Sequence, residues 1–344
     1  MRKFQINDPS LESQWRAIIL FGKNSATYKF AFASSILQLV NKETTEISLE
    51  ELAKPFSKNI VEHLKINDKQ GNSNSSAFLD TCRKYIKGNI LDEELWLKTE
   101  KLGFVNVVDA FQNVNGGEIP DLFYEKDYNS GKKKLVIKDN LLKLKESSHF
   151  QNFPQEVEAR WSLVETAWNL KLNPALLEVQ FDEDKEIFFL ENNFMKRVDI
   201  TSVRDALNGY QKGKCFYSFE DISIVSRSNN LCDIDHFLPH VNKVNHHKNG
   251  ANINGVWNLV LSSKKCNRGE GGKFTKIPEK RFLERLHNRN EFYIESKHPL
   301  AETIINQTGN TKSKRINFLN TQYQVALNNS IVTWQPENEL EGNF

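Results

Sequence analysis

The sequence predicts an α+β protein: a mostly helical N-terminal region, a mixed middle and a further set of helices. Three observations predict it. Between residues 15 and 40, Trp15, Ile18, Ile19, Phe30, Ala33, Ile36, Leu37 and Val40 recur at helical spacing. Residues 176–190 run apolar or alternate as strands do, with a turn at Asp182-Glu183-Asp184. Residues 279–286, 298–306 and 314–328 read as short helices.

In order along the chain, Gly22-Lys23-Asn24-Ser25 breaks the first helical stretch in two. Ser48-Leu49-Glu50-Glu51 has the form of a capping box, with Ser48 capping and Glu51 reaching back, and it opens a short helix that Pro55 perturbs. Residues 70–76 (QGNSNSS) read as an exposed loop, and residues 113–131, rich in Gly, Asn and Asp, as a second. Residues 155–170 form an amphipathic helix with Val157, Trp161, Val164 and Trp168 near one stripe. Ser202 caps a helix running to about Tyr210. Trp15, Trp161 and Trp168 are expected in the core.

The chain has 344 residues, a length that usually divides into two domains. Hydrophobic residues at 39% and charged residues at 26% fit a globular protein. Four cysteines do not make a disulfide framework. No apolar run approaches a membrane span and the first residues carry no secretory pattern, so no membrane association and a cytoplasmic location are expected. The net charge of +2 selects no partner, but local balance does. Residues 264–289 hold nine Lys or Arg (264, 265, 268, 273, 276, 280, 281, 285 and 289) against Glu270, Glu279 and Glu284, a candidate phosphate footprint.

The chemistry concentrates between Gly213 and Lys273. Cys215-Phe216-Tyr217-Ser218 comes first, then Ile234-Asp235-His236-Phe237-Leu238-Pro239, then Trp257-Asn258-Leu259-Val260-Leu261, and finally Cys266-Asn267-Arg268-Gly269. Phosphodiester hydrolysis needs a deprotonated water, a Lewis acid at the phosphate and stabilisation of the leaving oxygen. A hard cation such as Mg²⁺ takes oxygen ligands and keeps several waters. Asp235 offers a carboxylate and Asn267 an amide oxygen. His236 suits a general base at neutral pH. On a strand, however, its side chain points away from that of Asp235, so a bend at the strand end is needed to bring both to one phosphate. Arg268 and Lys273 are candidate contacts to the substrate phosphate.

This order and spacing resemble the HNH endonuclease family, in particular its long bacterial stand-alone type, whose centre is a β-hairpin followed by a helix around one metal ion (the ββα-metal fold). The resemblance covers residues 213–273 and implies an HNH nuclease domain at 206–344 with C-terminal helices. Before it lie a mainly helical domain at 1–150 and a mixed connecting region at 151–205. It implies Asp235 and Asn267 as ligands to Mg²⁺ or Mn²⁺, and His236 as the group that activates water. Asn258 becomes the residue that holds the motif loop by hydrogen bonds. Asn258 and Asn267 stand nine residues apart, a usual interval for the family, whereas the interval from Asp235 to Asn258 is long. The extra residues, VNKVNHHKNGANING, read as an inserted loop, with His240, His246 and His247 exposed and polar. His298, before Pro299, reads as a helix cap.

Many HNH proteins bind a structural zinc through two Cys-x-x-Cys pairs. Here Ser218 and Ser263 replace one member of each pair, so no zinc is expected and the cysteines read as small buried hydrophobes. The resemblance implies a DNA-cleaving enzyme acting in bacterial defence or restriction. Two other readings remain open: a nuclease subunit that is inert without a partner such as a defence-system ATPase or sensor, and a catalytically inactive nucleic-acid-binding module.

Overall fold

The computed structural model describes residues 8–21, 25–41, 43–73, 75–114, 116–129, 131–169, 179–191, 197–296, 298–330 and 332–344. The helix break expected at residues 22–24 and the start of the strand region at 176–178 lie outside them. The protein is α+β, with helices predominating and strands gathered in small sheets. No described helix is long and apolar enough to cross a membrane.

The chain divides into two compact units, one of Pro9–Lys171 and the other of Leu172–Phe344 with Met1–Asp8 counted in it. The first unit contains α1 (Leu11–Phe21), α2 (Tyr28–Leu39), α3 (Leu49–Ile66), α4 (Ala77–Ile86), α5 (Asp92–Leu102), α6 (Val107–Ala110), α7 (Asp139–Glu146) and α8 (Phe153–Asn169). Beside them β1 (Glu46–Ser48), β5 (Lys134–Ile137) and β4 (Tyr124–Asp127) form an antiparallel sheet in the order β1-β5-β4. A separate ladder joins β2 (Asn113–Val114) to β3 (Gly117–Glu118). The stretch expected as a loop at 113–131 therefore holds three short strands.

The unit boundary departs from the expected division at residue 150. Helix α8, assigned by sequence to a connecting region, belongs to the first unit because its apolar stripe packs there: Trp161 stacks on Phe30, and Val157, Val164 and Trp168 are buried. Trp15 is also in the core, edge-on to Phe111 and Phe123.

Helix α3 opens with the capping box: Glu51 N–H donates to Ser48 Oγ at 3.1 Å, and Ser48 N–H donates to Glu51 Oε2 at 2.9 Å. These bonds lower the Glu51 carboxyl pKa. Pro55 lies inside this helix and does not shorten it. A proline there costs about 3 kcal/mol. Leu52, Phe56, Ile60, Val61 and Leu64 are buried along one face, and that burial offsets the loss.

Gln70, read as the start of an exposed loop, is buried instead. Its amide oxygen accepts from Trp161 Nε1 at 2.9 Å and Thr27 Oγ1 at 2.8 Å, and its amide nitrogen donates to Glu165 at 2.7 Å. Next to it His63 lies flat on Trp161, with ring centroids 3.5 Å apart. His63 bonds Glu165 at 2.9 Å and Glu158 at 3.2 Å. Burial pulls the imidazole pKa down, but the bonds to Glu158 and Glu165 and their charges outweigh it and raise the group to about 9.

The second unit begins with the antiparallel sheet β6 (Gln180–Asp182), β7 (Ile187–Glu191) and β8 (Arg197–Ser202), followed by α9 (Val203–Gln211). Then come the hairpin strands β9 (Asp233–His236) and β10 (Leu259–Ser262), with α10 (Lys243–Lys248) between them, and α11 (Lys264–Arg268). Strand β11 (Ile277–Pro278) runs parallel to β12 (Thr333–Trp334), and α12 (Lys280–Glu295), α13 (Ala301–Thr308) and α14 (Lys312–Asn329) complete the unit. The expected inserted loop is partly helical. His246, expected in solvent, is fully buried because α10 packs on α14, where its Nδ1 bonds Gln322 Oε1 at 2.8 Å. His298 is also buried, and its Nδ1 accepts from Leu300 N–H at 3.2 Å, a capping contact just before α13.

A His63→Gln substitution is expected to destabilise the chain in a pH-dependent way. A raised folded-state pKa contributes stability in full below the unfolded value near 6.5, and loses it as pH rises through about 9. The gap between wild type and variant in urea unfolding should therefore be about 2 kcal/mol near pH 6 and shrink toward pH 10. A gap independent of pH would contradict this account.

Candidate active site

The site is built on the β9–β10 hairpin. Its register pairs His236 with Leu259, Asp235 with Val260, Ile234 with Leu261 and Asp233 with Ser262. Pairing stays regular through His236, so side chains alternate and Asp233 and Asp235 share one face. The bend that would turn Asp235 and His236 to the same side is not present.

On the Asp face, Asp235 is buried and both its oxygens are engaged. Lys273 Nζ donates to Oδ1 at 3.0 Å, and Tyr217 Oη donates to Oδ2 at 2.6 Å. Lys273 also donates to the His236 carbonyl at 2.8 Å. Lys273, a candidate contact to substrate phosphate by sequence, is thus fully buried, and its ammonium neutralises Asp235. The neighbouring Asp233 receives α11: Asn267 Nδ2 donates to its Oδ2 at 3.1 Å, and Arg268 donates through Nε at 2.8 Å and Nη2 at 3.2 Å. Arg268 remains largely exposed, with its Nη1 outside this pair.

Opposite, His236 is half-buried and its Nε2 lies 2.9 Å from Asn254 Oδ1. Phe181 and His240 flank the ring, with centroids at 6.1 and 5.3 Å. Burial lowers the His236 pKa against the opposing pull of Asp235 and Glu183, which keeps the imidazole neutral at neutral pH. An acceptor at Nε2 requires N–H there, so the free lone pair is on Nδ1.

Asn258 does not face either group. Fully buried, it donates through Nδ2 to the carbonyls of Leu238 at 3.0 Å and Ile253 at 2.9 Å, and accepts from Leu238 N–H at 2.8 Å. It is a positioning residue that ties both ends of the 238–253 excursion to the hairpin.

The structure therefore joins Asp235 to Lys273 and brings Asn267 and Arg268 together at Asp233, with His236 on the other face. Sequence reasoning missed Asp233 and Asn254. Asp233 was available from the period of two, since it stands two residues before Asp235 on a strand. Asn254 lies in the excursion, and nothing local marks it.

The basic footprint at 264–289 also changes. Arg285 donates to the carbonyls of Phe216 and Tyr217 at 2.7 and 3.1 Å. Arg289, fully buried, donates to those of Leu259, Val256 and Trp257. With Lys273 they face inward, while Lys264, Lys265, Arg268, Lys280 and Arg281 stay exposed.

Cys215, Ser218, Ser263 and Cys266 converge behind α11, and all four cysteines of the chain are free and buried. Burial pushes the Cys215 thiol pKa up, but hydrogen bonds with Cys266, Ser218 and the Ser263 backbone bring it down, while the Cys266 thiol is raised by its partner. Ser263 Oγ caps α11 by accepting from Cys266 N–H at 3.2 Å, and Ser218 Oγ donates to Glu220 at 3.3 Å. Two thiols and two committed hydroxyls do not form the four-ligand set of a structural zinc.

Among the described residues no three His, Cys, Asp or Glu side chains gather as a metal group. The oxygen donors of Asp233 and Asp235 on one face, with the Asn267 amide beside Asp233, are of the type a hard divalent ion takes, and an ion there would displace the protein donors that occupy both carboxylates.

Asn258→Ala should lower stability by about 3 kcal/mol, since it strands two carbonyls and an N–H in the interior. An unchanged urea midpoint would contradict the tethering role. No protein-family model, curated protein or solved structure matches the chain.

Proposed function

We propose that the chain is a metal-dependent endonuclease that hydrolyses phosphodiester bonds in DNA. The observation that carries this reading is the oxygen-rich face of β9, met by Asn267 and Arg268 from α11, on a hairpin whose last residue is a neutral, half-buried histidine. Asp235 and Asn267, with Asp233 beside them, would hold Mg²⁺ or Mn²⁺. The ion would supply Lewis-acid polarisation of the phosphate and charge for the leaving oxygen.

The chain's own residues do the rest. His236, fixed through Nε2 by Asn254, takes the proton of the attacking water at Nδ1. Arg268, held side-on by Asp233, presents Nη1 to a phosphate oxygen. Lys273 and Tyr217 fix the Asp235 carboxylate.

One observation favours the second reading, a nuclease subunit activated by a partner. Both oxygens of Asp235 are occupied by protein donors, and His236 faces away from Asp235. A productive arrangement requires a local shift at the end of β9, which a partner or the substrate would supply.

Supercoiled plasmid should be relaxed or linearised by the wild type with Mg²⁺ or Mn²⁺ and left intact with EDTA. His236→Ala should lower the rate by at least about 100-fold with an unchanged unfolding midpoint. Equal cleavage by that variant would remove His236 from the mechanism. Absence of cleavage by the wild type alone, restored by adding a partner protein, would establish the second reading. In calorimetry Asp235→Ala and Asn267→Ala should each weaken Mn²⁺ binding about tenfold or more. Unchanged affinity would exclude them as ligands.

A further inference from the structure

Phe274 follows Lys273 directly, and its environment explains neither its size nor its backbone. Its φ is +46°, in the left-handed region where a bulky L side chain is strained and Gly or Asn is the ordinary choice. It is 53% exposed, so burial does not repay that strain. Among the described residues its ring has no aromatic or cationic partner.

Its position is nevertheless rigidly set. Phe274 N–H donates to the Asn267 carbonyl at 2.8 Å, and Lys273 N–H to the Cys266 carbonyl at 2.7 Å. Lys276 closes the turn through its N–H to the Lys273 carbonyl at 2.8 Å and its Nζ to the Gly272 carbonyl at 3.2 Å. The backbone that carries the ring is therefore bonded to the helix that carries Asn267 and Arg268. The exposed ring is thus tied through its backbone to Asn267, the candidate metal ligand that immediately precedes the exposed guanidinium of Arg268.

Resting on the nuclease reading, we infer that Phe274 stacks on an unpaired nucleobase next to the scissile phosphate, so that the enzyme takes nucleic acid with a single-stranded or unstacked base at the cleavage position. Every base offers a π-face to an aromatic ring, while phosphate contacts carry the charge. A paired base in a duplex keeps its faces covered by its neighbours and is not available to the ring. The strained φ holds the ring out from the loop, in solvent, where such a base can reach it.

The test is fluorescence anisotropy with the full chain carrying His236→Ala, in Mg²⁺, against a labelled single-stranded oligodeoxynucleotide and its fully paired duplex. Adding Phe274→Ala should weaken single-strand binding about tenfold. Phe274→Trp should restore it, and duplex affinity should change less than twofold. Phe274→Ala should not lower the unfolding temperature, because the ring is exposed, and Phe274→Gly should raise it by relieving the strained φ. Equal single-strand affinity with and without Phe274→Ala overturns the stacking role and leaves the nuclease reading standing; the ring then belongs to a protein contact. An equal loss on both oligonucleotides overturns it too, since a general surface contact would act that way. If the parent chain binds neither oligonucleotide, the stand-alone nuclease reading fails and the stacking role falls with it.

Discussion

A hairpin of only two strands leaves the outer edge of each without a third strand to satisfy it, and the edge of the buried strand is the costly one. Strand β10 is buried along its whole length, so its outward N–H and C=O groups need partners from outside the sheet. The chain supplies them with side chains. Gln211 from α9 accepts from Leu261 N–H at 2.8 Å and donates to the Leu261 carbonyl at 2.8 Å, and Phe216 N–H donates to that same carbonyl at 2.9 Å. Arg289 from α12 covers the Leu259 carbonyl. Every further feature of the site depends on this edge being closed, because the register of β10 fixes which residues of β9 face α11.

That register sorts charge. The period of two sends Asp233 and Asp235 to one side and His236 to the other. Two carboxylates at i and i+2 repel each other unless cations intervene, and here each has its own. Lys273 lies against Asp235 in the interior, where an unpaired charge is costly, and Arg268 lies against Asp233 at the surface, where it remains available to solvent and ligand. The two pairs look alike on paper and differ in consequence. The first is shielded from solvent on both sides, and the second is open to it on the Arg268 side.

The turn after α11 continues the same logic. Three residues in sequence serve three purposes: Gly272 allows close backbone approach, with Gly269 O only 2.7 Å from where its Cβ would be; Lys273 turns inward to Asp235; and Phe274 turns outward. The inward cation and the outward ring stand on adjacent residues, and the second carries the positive φ.

The sequence by itself determined what is local. The Ser48–Glu51 capping box and the apolar stripe of α8 follow from residues within a few positions of one another, so spacing reveals them, whereas the order of hairpin and helix around Asp235, Asn258 and Asn267 was expected from the family resemblance. The regular alternation along β9 was legible for the same reason, and with it the separation of Asp235 from His236. Tertiary structure alone decided where long side chains go. Lys273, Arg285 and Arg289 sit in a basic run that reads as a surface patch, yet each reaches backbone carbonyls or a carboxylate distant in sequence. His246 and Gln70 read as loop residues and are buried by partners 76 and 91 positions away, Gln322 and Trp161. A flexible side chain extends several ångströms from its backbone, and whether its charged end meets water or a buried oxygen depends on which elements the fold brings within that reach. Composition and periodicity carry no record of that distance.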